Sequence, residues 1–356
     1  MSARRSRAAE SWVAALPPVV VVVGAGGVGK TSVAAALALL SARAGDRTLV
    51  MTFDPSHRLK DSLGVGGAKG AEVVPVGDQP IGAGLEASLL DARATFDGLV
   101  RRYAPDEASA RRVLENPFYR ELGEGLSGIL EYMAVERLFE VVANGRHARI
   151  VLDTPPTAQA LDFLDAPRRI VSFLDAGGSR AARRPWFDQR GRLAVGGPLR
   201  RPLERLVERV VGLDLVREMA ELLAAFEPLF QGFRERAVAV EELLASERSR
   251  FLLVAGPDRQ RLPDALFFAR SLVDRGMRLD RVVVNRVLPR VGRAERSGEP
   301  PAISLLRALG EHDGTSVERL RSLLGLEWPV VELPMMPREP SNLDALEELA
   351  AELHQS

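Results

Sequence analysis

The stretch Val19-Val20-Val21-Val22-Val23-Gly24-Ala25-Gly26-Gly27-Val28-Gly29-Lys30-Thr31 decides the fold. The valine run is short, β-branched and without a polar face, which is the pattern of a strand buried on both sides. Gly24 to Thr31 then fits G-x-x-x-x-G-K-[ST]. In that motif glycines let the main chain wrap a phosphate with its N–H groups turned inward. From Thr31 to Ala44 the chain reads as an alanine-rich helix, and its amino terminus adds partial positive charge. Strand, glycine loop and helix in this order define a nucleotide site, with Gly26, Gly27, Val28, Gly29, Lys30, Thr31 and Ser32 as its lining. Lys30 is a flexible point charge suited to the β- and γ-phosphates, a task for which arginine's planar fork is poorly shaped. The Thr31 hydroxyl is a ligand for Mg²⁺.

Further β-branched runs follow at Thr48–Phe53, Arg149–Leu152, Phe251–Ala255, Arg281–Val284 and Pro329–Leu333. Leu85–Asp91 reads either as another strand or as the start of a helix. Apolar strands alternating with helices predict an α/β fold: a P-loop NTPase with a mostly parallel, doubly wound sheet. The spacing is uneven. Between Asp54 and Arg149, and again between Asp153 and Phe251, the chain runs nearly a hundred residues before the next core strand. A simple crossover needs about a third of that. In the second gap Leu203, Leu206, Val207, Val210, Val216, Met219, Leu223, Phe226, Phe230 and Phe233 recur at helical steps. The expectation is one P-loop domain over 17–356, preceded by a flexible tail over 1–16. An α-helical subdomain is inserted through approximately 92–146 and 165–246.

Two aspartates end predicted strands on the ligand side of such a sheet. Asp54, in Asp54-Pro55-Ser56-His57-Arg58-Leu59-Lys60-Asp61, is placed either to orient an attacking water or to cap the next helix. Asp153, in Asp153-Thr154-Pro155-Pro156-Thr157, is placed to hold Mg²⁺ through water as the acidic partner of Thr31. His57 reads as a polar residue on a mobile segment, and His147, His312 and His354 show no metal-ligand spacing.

Composition bounds the rest. The 356 residues contain no cysteine, which excludes disulfides, thiolate zinc, iron–sulfur clusters and a cysteine nucleophile. Lysine and arginine balance aspartate and glutamate at 48 each, so no overall field favours nucleic acid. Only Lys30, Lys60 and Lys69 are lysines, against 45 arginines. No stretch reaches the roughly 18 apolar residues of a membrane span, and a cytoplasmic protein is expected. Arg180–Arg209 holds nine arginines against Asp188, Glu204 and Glu208. It reads as a solvated loop or as a contact for an acidic partner, anionic lipid or a facing protomer.

The glycine loop, the Asp54–Asp61 run and the run Asp153-Thr154-Pro155-Pro156-Thr157-Ala158-Gln159-Ala160-Leu161-Asp162-Phe163-Leu164 together resemble the arsenite-pump ATPase (ArsA) family. That family includes the targeting ATPases for tail-anchored membrane proteins. Val282-Val283-Val284-Asn285 resembles its adenine-binding strand end, and Leu333-Pro334 its late adenine loop. The resemblance runs from about residue 17 to 350. It implies Mg²⁺-dependent hydrolysis of ATP, with Asp54 activating water and Asp153 near the metal. It also implies Asn285 and Pro334 at the base, and a dimer whose closure drives a helical subdomain acting on a client.

The departures are equally informative. The family's second loop lysine, which in the resemblance reaches the partner's nucleotide, is replaced by Ala25. Such an in-trans cation is worth several powers of ten in rate. The chain is thus expected to work as a homodimer or as a heterodimer with a lysine-bearing paralogue. No cysteine remains for zinc or for arsenite. Met133 and Met219 are the only methionines in the insertions, too few for a thioether-rich client groove. Two other readings stay open: a nucleotide-binding regulatory or scaffold subunit with little turnover, and a client-binding chaperone.

Overall fold

The computed structural model describes residues 12–53, 58–65, 72–77, 80–116, 119, 129–155, 157–173, 175, 229–292 and 300–355. Asp54, His57, Lys69, the Arg180–Arg209 stretch and the Leu203–Phe226 part of the helical stripe lie outside them.

The chain divides into two compact units, Met1–Leu90 with Leu138–Leu161 and Glu242–Ser356, and Asp91–Arg137 with Asp162–Glu241. In chain order the described elements are β1 (Val19–Gly24), α1 (Lys30–Arg43), β2 (Thr48–Thr52), α2 (Arg58–Leu63), β3 (Val73–Pro75) and β4 (Leu85–Leu89). Then come α3 (Ala92–Tyr103), α4 (Glu107–Leu114), α5 (Ile129–Asn144), β5 (Arg149–Asp153), α6 (Thr157–Phe173) and α7 (Phe230–Ala245). The chain closes with β6 (Ser249–Ala255), a 3₁₀ turn (Arg259–Arg261), α8 (Leu262–Asp274), β7 (Leu279–Val287), α9 (Pro301–Leu324), β8 (Val330–Pro334) and α10 (Leu343–Gln355).

The first unit is built on one eight-stranded sheet ordered β3-β4-β2-β5-β1-β6-β7-β8. Every pairing is parallel except β3 with β4. This is the mostly parallel α/β sheet expected, and all five valines of β1 are fully buried between β5 and β6. Val20, Val22, Val50, Val151, Leu252, Val254 and Val283 share one apolar cluster with α1 and with Leu346, Leu349 and Leu353 of α10. The alternate residues Val21, Met51, Leu152, Leu253 and Val284 point to the opposite face and are as deeply buried. Full burial of such a side chain contributes about 1.5–3 kcal/mol at each position.

Trp12–Leu16, counted with the tail on sequence, pack instead: Val13 and Leu16 enter the core, and Arg281 stacks over the Trp12 ring at 3.8 Å. Leu85–Asp91 proves to be both alternatives in turn. Leu85–Leu89 is strand β4, and Asp91 caps α3, its Oδ1 accepting from Ala94 N–H at 2.9 Å. The short antiparallel β3 was not anticipated, because its half-exposed residues carry no apolar run.

All described elements lying wholly within the second unit's residues are helical. Within it Phe233 packs its ring against Phe96 and Tyr103, at centroid distances of 6.1 and 6.2 Å. The Tyr132 hydroxyl donates to Glu136, which Arg236 Nε also reaches at 2.7 Å. Burial, reinforced by the negative charge and hydrogen bond of Glu136, raises the Tyr132 phenol far above its ordinary value. Among the described residues no helix is long and apolar enough to cross a membrane.

The amino ends of β2, β4 and β5 are tied by charge. Glu86 of β4 accepts from Arg146 Nη2 at 2.6 Å and pairs with the His147 ring and, at 3.5 Å, with Arg47. Arg149 reaches Asp46 at 2.8 Å and donates to the carbonyls of Leu16 and Pro17. Burial alone would raise the Glu86 carboxyl. The His147 hydrogen bond and the charges of Arg146, His147 and Arg47 outweigh it and hold the group below the ordinary carboxylate range. A carboxylate lowered on folding contributes stability above its unfolded pKa, and that contribution is lost as pH falls through the lowered folded value. Glu86→Gln is therefore expected to cost about 1–3 kcal/mol at pH 7, read from urea unfolding midpoints. The gap to wild type should close on acidification below the ordinary glutamate range. A gap unchanged at pH 3 would remove Glu86 as the cause.

Candidate nucleotide site

Seven parallel strands deliver their carboxyl ends to one edge of the sheet, and the glycine loop follows β1 there. Gly24 begins the turn at φ 150° under the neighbouring strand, where any Cβ would run into the Val254 carbonyl oxygen. Gly29 caps α1 in the left-handed region, φ 91° and ψ 26°, and a Cβ there would meet the Asn285 amide nitrogen. Both positions therefore require glycine.

Lys30, only 7% exposed at the first position of α1, curls back so that its ammonium donates to the Ala25 carbonyl at 3.0 Å. The next residue makes the link to the sheet. Thr31 Oγ1 donates to Asp153 Oδ2 at 2.7 Å, and Thr52 Oγ1 of β2 donates to the same oxygen at 2.9 Å. Asp153, at the end of β5, is 1% exposed. Its neighbour Thr154 donates through Oγ1 to the Val22 carbonyl at 2.8 Å, fastening the start of that loop to β1. Thr31 and Asp153 thus meet across 122 residues of sequence. Thr52 joins them without having been singled out, since nothing in an apolar strand marks one hydroxyl. Two hydroxyls and one carboxylate are hard oxygen donors, the kind Mg²⁺ takes, so the donor set fits that ion.

On the other side of the loop, Asn285 of β7 donates through Nδ2 to the Val28 carbonyl at 2.9 Å. Arg286, next in sequence, donates to the Gly27 carbonyl at 2.9 Å. Arg261 donates to the Gly26 carbonyl at 3.2 Å. A cavity of about 170 Å³ opens beside them, with Ser32, Asn285, Arg286, Pro334, Met335 and Met336 in its wall. The structure brings Ser32, Asn285 and Pro334 together around this space, although they are separated by about 250 and 50 residues along the chain. Asp54 lies outside the described residues; the described chain reaches Phe53, whose N–H bonds to the Asp153 carbonyl at 3.4 Å. Neither Arg261 nor Arg286 was legible in sequence, being two among 45 arginines.

Comparison with known proteins agrees with the sheet and the loop. The model of the anion-transporting ATPase (ArsA) family matches residues 18–355, and the chain belongs to that family. It is 33% identical over 313 residues to the uncharacterized protein SCO2128 of Streptomyces coelicolor, covering 85% of this chain and 71% of that one. Protein Rv2184c of Mycobacterium tuberculosis is 29% identical over 279 residues, 75% of this chain and 58% of its own length. ATPase GET3B of Arabidopsis thaliana is 28% identical over 283 residues, 75% of this chain and 63% of its own. The chain therefore spans less than two thirds of the mycobacterial and plant relatives.

The two loop glycines separate strain from collision. Gly27→Ala meets no atom within 4 Å but forces a non-glycine residue to φ 77°. That conformation costs roughly 1–2 kcal/mol. Gly29→Ala carries the same strain and also displaces Asn285 from the Val28 carbonyl, adding about 1 kcal/mol for the lost buried hydrogen bond. Urea unfolding should rank Gly29→Ala as the more damaging of the two. Equal midpoints would show that Asn285 does not support the loop.

Proposed function

We propose that the chain binds Mg²⁺–ATP at the Gly26–Ser32 loop and hydrolyses the β–γ phosphoanhydride. The reading rests above all on one observation, the meeting of Thr31, Thr52 and Asp153 directly beneath a glycine loop that carries Lys30. Bound Mg²⁺ would supply positive charge to offset that of the phosphates. Thr31 and Asp153 are the residues that would hold it, Asp153 through water.

The protein's own contribution starts with Lys30. Its bond to the Ala25 carbonyl keeps the ammonium folded over the loop, and phosphate oxygens would compete for that donor as stronger acceptors. Asp54 orients the attacking water. The water oxygen bonds to the γ-phosphorus, the bond to the β–γ bridging oxygen breaks, and ADP, phosphate and one proton leave. The base occupies the cavity beside β7 and β8. There Asn285, with Nδ2 given to Val28, keeps its Oδ1 acceptor for an exocyclic amine such as that of adenine, with Pro334 at the rim.

The finer reading is a cytoplasmic dimer, homomeric or formed with a lysine-bearing paralogue, in which ATP turnover resets helical regions acting on a protein client. Family membership supports it. Ala25 favours a second reading, a nucleotide-binding regulatory subunit with little turnover of its own, because one cation is missing from the loop.

Phosphate release by the purified chain tests both. Asp54→Asn should remove turnover while leaving ATP binding within about threefold. Lys30→Ala should weaken binding by at least about tenfold, the value of one charge-assisted hydrogen bond. Turnover at the level of buffer, unchanged by Asp54→Asn, would favour the regulatory reading. Ala25→Lys should raise the rate if chains dimerise face to face on ATP, with light scattering to report the dimer. An unchanged rate in a proven dimer would set the missing lysine aside.

A further inference from the structure

Four successive carbonyls of the glycine loop each accept one side-chain donor. Lys30 serves Ala25 at 3.0 Å, Arg261 serves Gly26 at 3.2 Å, Arg286 serves Gly27 at 2.9 Å and Asn285 serves Val28 at 2.9 Å. No peptide bond in the described chain is cis. In a trans peptide the C=O and the following N–H point in opposite directions. Each donor fixes the peptide it reaches, and Arg261 and Arg286 thereby set the N–H groups of Gly27 and Val28 to point away from their guanidiniums. A cation on a peptide oxygen also polarises that peptide and makes its N–H a stronger donor.

The local backbone is shaped to permit this. Adjacent residues of a regular strand send their side chains to opposite faces. Asn285 and Arg286 are adjacent, yet both reach the same loop. They can do so because the pairing of β7 with β8 shifts register between Val284 and Val287, and because Arg286 sits at φ 65°. Among the described residues it is the one non-glycine residue with positive φ. A bulge that re-aims a side chain beside a site, held at a backbone cost, points to a use for that side chain. Arg261 comes from the 3₁₀ turn after β6 and shares a pocket wall with Ala25 and Val28. Both guanidiniums are about half exposed, and each also pairs loosely with a carboxylate at 3.8 Å, Arg261 with Asp258 and Arg286 with Glu339.

We propose that Arg261 and Arg286 are positioning residues of the nucleotide site, a two-guanidinium brace that strengthens the Gly27 and Val28 N–H groups as phosphate donors. Within Gly24–Thr31 the sequence provides one cation, Lys30; the brace brings two more from separate strand ends. The inference rests on the nucleotide reading above and adds residues to it.

The test measures ATP affinity and folding stability side by side. Arg261→Ala and Arg286→Ala should each weaken binding of Mg²⁺–ATP about tenfold, measured by competition against a fluorescent ATP analogue. Arg286→Lys, which keeps a cation and a donor, should recover most of the loss. Arg286→Gly is the decisive variant, because glycine accepts φ 65° freely. Its urea midpoint without nucleotide should equal or exceed wild type while its ATP affinity falls, a pair of opposite shifts that a merely structural role does not produce. The inference is overturned if the Arg261→Ala/Arg286→Ala double variant binds ATP like wild type, or if affinity and midpoint fall in parallel in every variant. Lys30→Ala separates the two levels. If wild type binds, Lys30→Ala does not and the double variant does, the brace fails and the nucleotide reading stands. If wild type does not bind ATP, both fall.

Discussion

One carboxylate oxygen, Asp153 Oδ2, ties the first helix to the central sheet. It accepts from Thr31 at the start of α1 and from Thr52 at the end of β2, while its own backbone belongs to β5. A buried carboxylate is costly unless hydrogen-bonded, so its position obliges the three elements to keep their register. The parallel pairing does the rest. Because β1, β2, β5, β6 and β7 all run the same way, their carboxyl ends open at one edge, and the loop after β1 lies across it. A shift of one residue in β5 would place Leu152 or Thr154 where the carboxylate now sits.

The opposite edge is organised by a different chemistry. There Glu86, Arg47, Arg146 and His147 join three strand starts, and Arg149 with Asp46 fixes the approach of the chain into β1. Most of these contacts are ion pairs between close neighbours in the fold, and Arg149 adds bonds to the Leu16 and Pro17 carbonyls. One edge is held by pairing opposite charges. At the other, Lys30, Arg261 and Arg286 donate to main-chain carbonyls of the glycine loop.

That contrast explains what could be read from sequence. The central strands were legible because burial on both faces writes a continuous apolar run, as in Val19–Val23 and Val282–Val284. β3 was not, since a half-exposed edge strand of three residues writes no pattern. Lys30, Thr31 and Asp153 could be proposed from sequence because each stands in a marked run, and lysine is rare enough here for each one to stand out. Thr52 was hidden by an ordinary composition. Arg261 and Arg286 were hidden by abundance, and no local rule announces that a bulge will turn Arg286 toward a loop more than 250 residues earlier. Tertiary geometry assigns those two.

A chain with equal numbers of acidic and basic residues has no net field with which to draw an anion, so any attraction must be local. At the loop it is built from three sources: the dipole of α1, the ammonium of Lys30 and guanidiniums arriving from the 3₁₀ turn after β6 and from β7. Only the second lies within the motif. A site assembled this way can lose a lysine from the loop, as at Ala25, and still concentrate positive charge there, because the strand ends deliver it. What it cannot replace is reach: an arginine held on its own loop's carbonyl stays with that loop, whereas an unattached lysine at position 25 would be free to extend to another molecule.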